Sequence, residues 1–136
     1  MVAKALRSAV WQDWGTPPEL FDPLSEEFGP FTLDVCASAW NAKAPRFYTK
    51  EQDGLKQSWS GSVWLNPPYG PCVMDWLGQA WASCAHRHTE LVVAIVPSRT
   101  DTRWWHTWVV NHATEIRWLY GRFRFVREDG SRTGRC

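Results

Sequence analysis

The stretch of sequence that decides the fold is VWLNPPYG, residues 63–70. Its first three residues are apolar and predict a short buried strand, and Asn66 places a polar amide directly at the carboxyl end of that strand. The two prolines that follow fix φ at about −65° and remove two backbone N–H donors. The loop is therefore expected to be stiff, to present carbonyl oxygens, and to end in the aromatic ring of Tyr69.

Strand and helix patterns alternate along the rest of the chain. Apolar or β-branched runs predict strands, and apolar residues about 3.6 positions apart predict helices. In chain order these are a helix at 16–28, a strand at 31–35, the strand at 63–65, a helix from Pro71 to Cys84, a strand at 91–96, a helix at 102–112 and a strand at 115–120. This alternation predicts an α/β fold with a doubly wound, mostly parallel sheet.

Two of these elements carry more specific expectations. The first helix is expected to have Thr16 as its N-cap and Pro17 at its first position, and Pro23 could divide it in two. The run at residues 91–96 is apolar without a break, which is typical of a strand buried on both faces of a parallel sheet.

Polar or rigid residues stand where three of the predicted strands end. Asp34, Asn66 and Pro97 all occupy such positions. In doubly wound sheets, ligands bind beyond the carboxyl ends of the strands. The sequence therefore predicts a binding site at this edge of the sheet.

Composition places the chain among small globular proteins, with 44% apolar and 21% charged residues. It holds no apolar run of about 18 residues, so no membrane span is predicted. The first residues lack the apolar core of a signal peptide, which predicts a cytoplasmic protein.

Metal binding is not expected from the cysteines, because none of the four forms a C-x-x-C pair. His86 and His88 have a spacing that could serve a metal, but their position after a predicted helix favours a solvated turn. We therefore predict no metal site.

Charge and tryptophan content each leave two interpretations open. The formal net charge is +1, yet residues 121–136 hold Arg122, Arg124, Arg127, Arg132 and Arg135. These arginines could face phosphates or form a solvated tail. The eleven tryptophans could be stacking platforms for bases or packing residues. Trp76 and Trp81 follow the helical pattern and are expected in the core.

The chemistry of the Asn-Pro-Pro-Tyr segment suits an exocyclic amine of a base. The lone pair of such an amine is delocalised into the ring, and two acceptors on its N–H bonds favour a pyramidal, nucleophilic nitrogen. The side-chain oxygen of Asn66 and the backbone carbonyl of Pro67 can supply both acceptors, and Tyr69 can stack on the base. An amide accepts these bonds without burying a charge. The alternative is a tight turn that only ends the strand.

The order of motifs resembles the phage-type DNA N6-adenine methyltransferases. Asn66-Pro67-Pro68-Tyr69 resembles motif IV of amino-group methyltransferases, and further matching segments stand in the same order along the chain. They are WGTPPELF (14–21), FGPFTLDVCA (28–37), NAKAPRFYT (41–49), DGL (53–55), PSRTDTRW (97–104) and GRFRF (121–125). The resemblance covers residues 11 to about 125, and it implies a Rossmann-like fold that uses S-adenosylmethionine.

This resemblance implies roles for individual residues. Asn66, Pro67, Pro68 and Tyr69 would be catalytic. Thr16, Pro17, Asp34, Cys36, Ala37 and Asp53 would bind the cofactor, although Asp34 could be only a strand-end cap and Asp53 only a turn residue.

A second group follows the strand at 91–96 or belongs to the arginine cluster. Arg99, Asp101, Arg103 and Arg122 are candidate DNA contacts, with surface ion pairing as the alternative for the first three. DNA would be bound as a duplex with its target base flipped out.

Two features depart from the family pattern. The glycine-rich loop of most methyltransferases is replaced by Asp34-Val35-Cys36-Ala37-Ser38-Ala39. Residues 127–136 also contain no apolar run where relatives continue into another strand, so we expect a truncated chain that lacks the final strand.

We divide the chain into a lead-in at 1–10, a catalytic domain at 11–126 and a tail at 127–136. An exposed sheet edge near residues 115–120 and a melting temperature below that of longer relatives are expected.

Three functions compete on this basis. The first is adenine-specific DNA methylation at N6 by a protein encoded by a phage or prophage, for which restriction evasion is a plausible use. The second is methylation of an RNA or protein amide nitrogen. The third is a truncated, inactive relative that binds DNA or cofactor without turnover. The short chain leaves no room for a large target-recognition domain, so low sequence specificity is expected.

Overall fold

An open sheet of four parallel strands forms the centre of the computed structural model, which describes residues 14–133. The strands are β1 (Leu33–Asp34), β2 (Arg46–Phe47), β3 (Gly61–Leu65) and β4 (Thr89–Ala94). Their order across the sheet is β2-β1-β3-β4. Leu33 is paired with Val63 and Leu65 with Ala94, so the carboxyl ends of the strands lie along one edge.

Helices cover both faces of this sheet. They are α1 (Pro18–Phe28), a 3₁₀-helix (Gly54–Lys56), α2 (Val73–Ala85) and a π-helix (Trp105–Val110). Helical residues flank the π-helix, so the predicted helix at 102–112 is confirmed in position. Together with the all-parallel sheet, this arrangement confirms the predicted doubly wound, Rossmann-like α/β fold.

The alternation of side chains along β3 explains why both faces are covered. Trp64 faces α1, where its ring meets Phe21 edge-on at a centroid distance of 4.9 Å. Val63 and Leu65 point to the other face and join a cluster with residues of α2 and the π-helix, including Trp76 and Trp105. All three β3 side chains are buried, and burying each contributes about 1.5–3 kcal/mol.

The start of α1 differs from the sequence prediction. The helix begins at Pro18, and Pro17 occupies the N-cap position without a side-chain capping bond. Thr16 is therefore not the N-cap; its hydroxyl instead accepts a hydrogen bond from Asn66. Pro23 does not divide the helix, because α1 continues through it to Phe28.

The prediction that β4 is buried on both faces is wrong. Residues 90–96 are half-buried or exposed, since β4 is the last strand of the sheet and its outer edge has no strand beside it within residues 14–133. The prediction of a strand at 115–120 is also wrong, because this segment lies outside the sheet and its side chains are exposed. Arg117 is held instead by Glu27 of α1 and lies over the ring of Phe28.

Residues 126–133 fold back on Gly15. Val126 forms antiparallel bridges with both Gly15 and Arg132. The turn from Val126 to Arg132 is closed by a hydrogen bond from Arg127 N to Ser131 O. Thr133 is buried and pairs with Phe125 through backbone and hydroxyl bonds. The end of the predicted domain and the start of the predicted tail are thus joined by hydrogen bonds.

Two other expectations concern side chains and segments outside the sheet. Trp76 is buried as predicted, but Trp81 is 44% exposed, because it lies on the outer side of α2 against Trp108 and His112. The lead-in at 1–10 lies outside the described residues, as does the end of the tail, with Arg135 and Cys136. Between residues 14 and 133, no helix has the length and apolarity needed to cross a bilayer.

Candidate active site

A small cavity lies at the carboxyl edge of the sheet, where Asn66 follows β3. Its volume is about 20 Å³, which is room for one water molecule. The lining combines the whole Asn-Pro-Pro-Tyr segment with residues from three other parts of the chain: Trp14, Cys36, Asn41, Asn66, Pro67, Pro68, Tyr69 and Phe125. The sequence segments singled out separately therefore meet at one place.

A single hydrogen bond orients the amide of Asn66. Its Nδ2 donates to the hydroxyl oxygen of Thr16 at 3.1 Å, and Thr16 is itself buried. This bond commits the nitrogen end of the amide to the protein. No hydrogen bond formed within residues 14–133 uses the oxygen end, so Oδ1 is the atom that remains able to accept from a ligand.

The rest of the segment is held by proline geometry and by the start of α2. The Pro68 carbonyl accepts a bond from the thiol of Cys72 at 3.5 Å. Pro67 is buried, and its carbonyl is not used by the backbone bonds found in the described part of the chain. Two neighbouring residues of the lining therefore each have an unused acceptor, the side-chain oxygen of Asn66 and the backbone carbonyl of Pro67.

Aromatic rings form the walls of the cavity. Trp14 and Phe125 lie nearly parallel, with centroids 5.9 Å apart and planes inclined by 22°. Tyr69 meets Phe125 at 6.1 Å with an interplanar angle of 72°. A base needs about 3.4 Å of stacking distance on each face, so Trp14 and Phe125 must separate for a base or a cofactor to enter between them.

The walls are fixed by backbone hydrogen bonds from distant parts of the chain. Gly15 and Val126 exchange two bonds, at 2.7 and 2.9 Å, which brings Phe125 beside Trp14. Asn41 donates from Nδ2 to the Trp14 carbonyl at 3.3 Å and accepts a bond from Ser38 N at 2.7 Å. Asn41 thus ties the N-terminal segment to the loop that follows β1.

Asp34 lies behind the cavity and holds this loop together. The side chain is buried, and its two oxygens accept bonds from the backbone N–H of Cys36 at 3.2 Å and of Lys43 at 3.0 Å. Burial raises the pKa of Asp34 to about 7, because desolvation of the carboxylate outweighs the two N–H donors and the nearby charge of Lys43. Asp34 therefore shapes the loop from within and does not line the cavity.

Cys36 and Ala37 continue from Asp34 along the loop. Cys36 lines the cavity, and burial, reinforced by the charge of Asp34, raises the pKa of its thiol, so the thiol stays neutral. Ala37 is buried, and its N–H donates to the Tyr48 carbonyl at 3.0 Å. The small side chain lets the loop pack closely against the backbone of Tyr48.

Asp53 lies at the edge of this region and not in the cavity lining. Its side chain accepts a bond from Leu55 N at 3.1 Å and so caps the 3₁₀-helix, with φ at +54°. The next residue must be glycine, because a Cβ on Gly54 would collide with the Val35 carbonyl. This close approach brings the Asp53 loop against the end of β1.

The candidate DNA contacts are exposed and lie outside the lining. Arg99 and Asp101 are paired with each other at 3.8 Å, which is the surface ion pair that the sequence left open as an alternative. Such exposed pairs contribute little to stability. Arg103 and Arg122 are also exposed. The ion pairs formed within residues 14–133 do not include Arg122, whereas Arg117 and Arg132 are paired with Glu27 and Glu19.

The histidine pair lies at the opposite edge of the sheet. The rings of His86 and His88 are 6.5 Å apart, between the end of α2 and the start of β4. In the described part of the chain, no three His, Cys, Asp or Glu side chains are grouped so as to hold a metal ion.

Sequence reasoning missed three residues that build the cavity: Trp14, Asn41 and Phe125. Each falls inside a segment that matches the family pattern, and this was the available signal. No periodicity or spacing could have shown that Gly15 and Val126 pair, because the pairing joins residues 111 positions apart in the sequence.

The sequence resembles known proteins over most of its length. The sequence profile of the family described as DNA N-6-adenine-methyltransferase (Dam) matches residues 4–135. The DNA N-6-adenine-methyltransferase of Escherichia phage T1 is 32% identical over 114 residues, which is 82% of this chain and 46% of the phage protein. The chain thus spans about half the length of that relative.

A second relative matches a shorter region. YfdM of Escherichia coli strain K12, which carries a provisional methyltransferase name, is 37% identical over 67 residues, covering 44% of this chain and 74% of YfdM. No solved structure matches the chain. Because the profile matches nearly its whole length, this chain belongs to the DNA N-6-adenine-methyltransferase (Dam) family.

Proposed function

We propose that this protein transfers a methyl group from S-adenosylmethionine to N6 of an adenine flipped out of DNA. One observation carries the proposal: Asn66 stands at the end of β3 with its Nδ2 committed to Thr16 and its Oδ1 left to accept, inside an aromatic cavity. The family assignment supports the choice of DNA adenine as substrate. Enzyme class, substrate and the roles of all site residues are part of this proposal.

The two acceptors act on the adenine amine. Asn66 Oδ1 and the Pro67 carbonyl each accept one of its N–H bonds, which localises the nitrogen lone pair and makes it nucleophilic. The amide suits this role because Asn66 is only half-buried and carries no charge that would need compensation. Tyr69 and Phe125 hold the base by stacking, worth about 1–3 kcal/mol per base.

No strong base is required, and the lining provides none among the described residues. Among residues 14–133, the neutral Cys36 thiol and the Tyr69 hydroxyl are the titratable groups of the lining. The amine therefore acts as the nucleophile while it still holds both protons; as the new N–C bond forms, the bond between the methyl group and the donor sulfur would break with its electrons left on sulfur, and one proton then leaves to water. Preorganised acceptors of this kind contribute by being in place before the charge develops.

The residues around the cavity fit a sulfonium cofactor in chemical character. Aromatic faces such as those of Trp14 and Tyr69 in the lining attract a cation. Outside the lining, the partly exposed Asp53 carboxylate, which lies 4.0 Å from Lys56, can accept from an adenine amine. S-adenosylmethionine, when bound, supplies an electrophilic methyl group. Thr16, Pro17, Asp34 and Ala37 would support this site through the loops they hold, with Cys36 at its wall.

The substrate must reach the cavity as an unpaired base, because the target nitrogen of a paired adenine is inside the duplex. DNA is then the partner, with Arg99, Asp101, Arg103 and Arg122 beside it. We further propose that the protein acts in the cytoplasm of a bacterial host of a phage or prophage.

A methyl-transfer assay tests the proposal. The protein is incubated with isotopically labelled S-adenosylmethionine and unmodified duplex DNA, and the nucleosides are analysed by mass spectrometry. Asn66→Ala is compared with Asn111→Ala, which removes an exposed asparagine at the end of the π-helix. Labelled N6-methyladenine is expected from the wild type and from Asn111→Ala, and not from Asn66→Ala.

Other outcomes separate the competing functions. Label in RNA or in a glutamine side chain, with none in DNA, would show that the substrate is RNA or protein and not DNA adenine. A folded wild type that binds cofactor and DNA but transfers no label would contradict the proposal and leave binding without turnover.

A further inference from the structure

Residues 118–122 form an exposed bridge between two fixed points at the carboxyl edge of the sheet. At one end, Trp118 packs against Trp105 at a ring distance of 5.6 Å. Trp105 begins the π-helix soon after the chain leaves the carboxyl end of β4. At the other end, Phe125 lies in the cavity wall between Trp14 and Tyr69. The segment between these points, here called the aromatic bridge, therefore borders the proposed active site.

The aromatic bridge exposes large apolar side chains. Tyr120 is 100% exposed, Trp118 is 66% exposed and Leu119 is 47% exposed. Gly121 has φ of +80°, and a Cβ there would meet no atom within 4 Å, so the backbone turns in open space. Contiguous exposed apolar groups of this size mark interaction sites in soluble proteins.

Charge on the aromatic bridge indicates the partner. Arg117 and Arg132 are neutralised by Glu27 and Glu19, and Arg124 donates to the Thr133 carbonyl. Arg122 is exposed and takes part in no ion pair within the described residues. An aromatic ring two residues from an uncompensated arginine suits a nucleic acid, which offers stacked bases next to phosphates.

The short span between Tyr120 and the cavity wall places the aromatic bridge within reach of a base flipped into the cavity. Phe125 is five positions after Tyr120 in the sequence, so the two can be at most about 17 Å apart, or about five base-pair steps. Aromatic and apolar side chains inserted between base steps are a known way to hold a distorted duplex. We infer that Tyr120 enters the duplex beside the flipped adenine and fills the gap it leaves, while Arg122 binds an adjacent phosphate. This inference rests on the proposed function.

A binding assay tests the inference independently of methyl transfer. Fluorescence anisotropy would compare an intact labelled duplex with the same duplex carrying one abasic site, which offers the gap already formed. The wild type is expected to bind the abasic duplex about tenfold more tightly. Tyr120→Ala should lose this preference, and Tyr120→Phe should keep it because the ring is retained.

Val110→Ala is the matched control, since it removes an exposed apolar side chain from the π-helix, away from the bridge. It should keep the preference. Because Tyr120 is fully exposed, its replacement should leave the melting temperature unchanged, which circular dichroism would check.

Methyl transfer gives the second readout. Tyr120→Ala should methylate duplex DNA about tenfold more slowly than the wild type and single-stranded DNA at an equal rate, because a single strand needs no gap to be filled. The inference is overturned if Tyr120→Ala keeps the abasic preference or if the wild type has none. It is also overturned if the protein self-associates without DNA and Tyr120→Ala disperses the oligomer. A wild type with the abasic preference but no methyl transfer would instead contradict the proposed function alone.

Discussion

The carboxyl ends of β1 and β3 lie side by side in the sheet, yet they treat their polar side chains in opposite ways. At the end of β1, Asp34 is buried and both carboxylate oxygens accept backbone N–H bonds. Just past the end of β3, Asn66 is half-buried and only its nitrogen is engaged. Both residues follow apolar strand positions, and sequence alone assigns both to one ligand site.

The difference distinguishes Asp34, which stabilises the loop that forms the site, from Asn66, whose side-chain oxygen is available to accept a hydrogen bond from a substrate. A buried carboxylate that already accepts a backbone bond on each oxygen has little left to offer a ligand, and its removal leaves buried donors unpaired. A half-buried acceptor with one unused oxygen gains a bond only when a ligand arrives. Substitutions at Asp34 should therefore change stability, and substitutions at Asn66 should change turnover.

The largest effect is expected from Asp34→Ala, which should destabilise the fold by about 2–6 kcal/mol. The reason is that two backbone N–H groups, of Cys36 and Lys43, would each lose a partner, at about 1–3 kcal/mol per group. Urea denaturation followed by circular dichroism measures this. Asp53→Ala is the control, because Asp53 also accepts a backbone N–H but at a partly exposed turn, and it should cost about 1 kcal/mol. Equal losses at the two positions would break the comparison.

Asn66→Ala should lower the rate of methyl transfer by about 10²–10³-fold, the range found for removal of one preorganised electrostatic group. Its melting temperature should fall by only a few degrees, because within the described residues one buried hydroxyl, that of Thr16, loses its partner, whereas Asp34→Ala leaves two buried N–H groups unpaired. Single-turnover assays and thermal melts on the same sample measure both quantities. A large loss of stability with unchanged turnover would assign Asn66 to the scaffold with Asp34.

Stability should decrease as the pH rises from about 4 to about 7. Burial raises the pKa of Asp34 to about 7 in the folded state, whereas an unfolded Asp titrates at about 3.9. Between these values the folded state holds more protons than the unfolded state, so raising the pH favours unfolding, with a slope of up to about 1.4 kcal/mol per pH unit from this group. Urea titrations at several pH values should show this slope in the wild type and a flatter one in Asp34→Ala. Equal slopes in both proteins would show that Asp34 is ionised throughout.

The smallest effect is expected at Thr16, whose hydroxyl orients the Asn66 amide. Thr16→Val should lower kcat about fivefold, because a hydrogen bond that orients the Asn66 amide contributes about 1 kcal/mol. Thr16→Ser is the control. It keeps the hydroxyl and loses the methyl group, whereas Thr16→Val keeps the methyl group and loses the hydroxyl, so Thr16→Ser should turn over at close to the wild-type rate. Steady-state kinetics would separate kcat from KM. A change confined to the KM for S-adenosylmethionine would instead place Thr16 in direct contact with the cofactor.

Local patterns predicted the elements that short-range physics controls. The apolar run at β3, the 3.6-residue spacing in α2 and the helix at 102–112 are all present near their predicted positions. Side-chain burial and backbone hydrogen bonding within a few residues are sufficient to favour these elements. The convergence of the Asn-Pro-Pro-Tyr segment with the loop after β1 also followed from the sequence, since parallel strands bring their carboxyl ends to one edge.

Predictions failed where distant contacts decide the outcome. Residues 115–120 have the composition of a strand but are exposed, because a strand needs a neighbour and none lies beside them in the described part of the chain. Thr16 has the ideal residue type for a helix cap, but its hydroxyl is bonded to Asn66, fifty positions away. Trp81 has a helical spacing that predicts burial, yet the sheet lies on the other side of α2.

The sequence by itself determined the fold class, the family and the segment that carries the proposed chemistry, because each depends on residue order over short distances. Only the tertiary structure decided which polar residue is scaffold and which is open, and that Trp14, Asn41 and Phe125 complete the cavity. The physical reason is that a hydrogen bond such as Gly15 to Val126 depends on where two distant backbones meet. That meeting point is set by packing of the whole core and not by the identity of either residue.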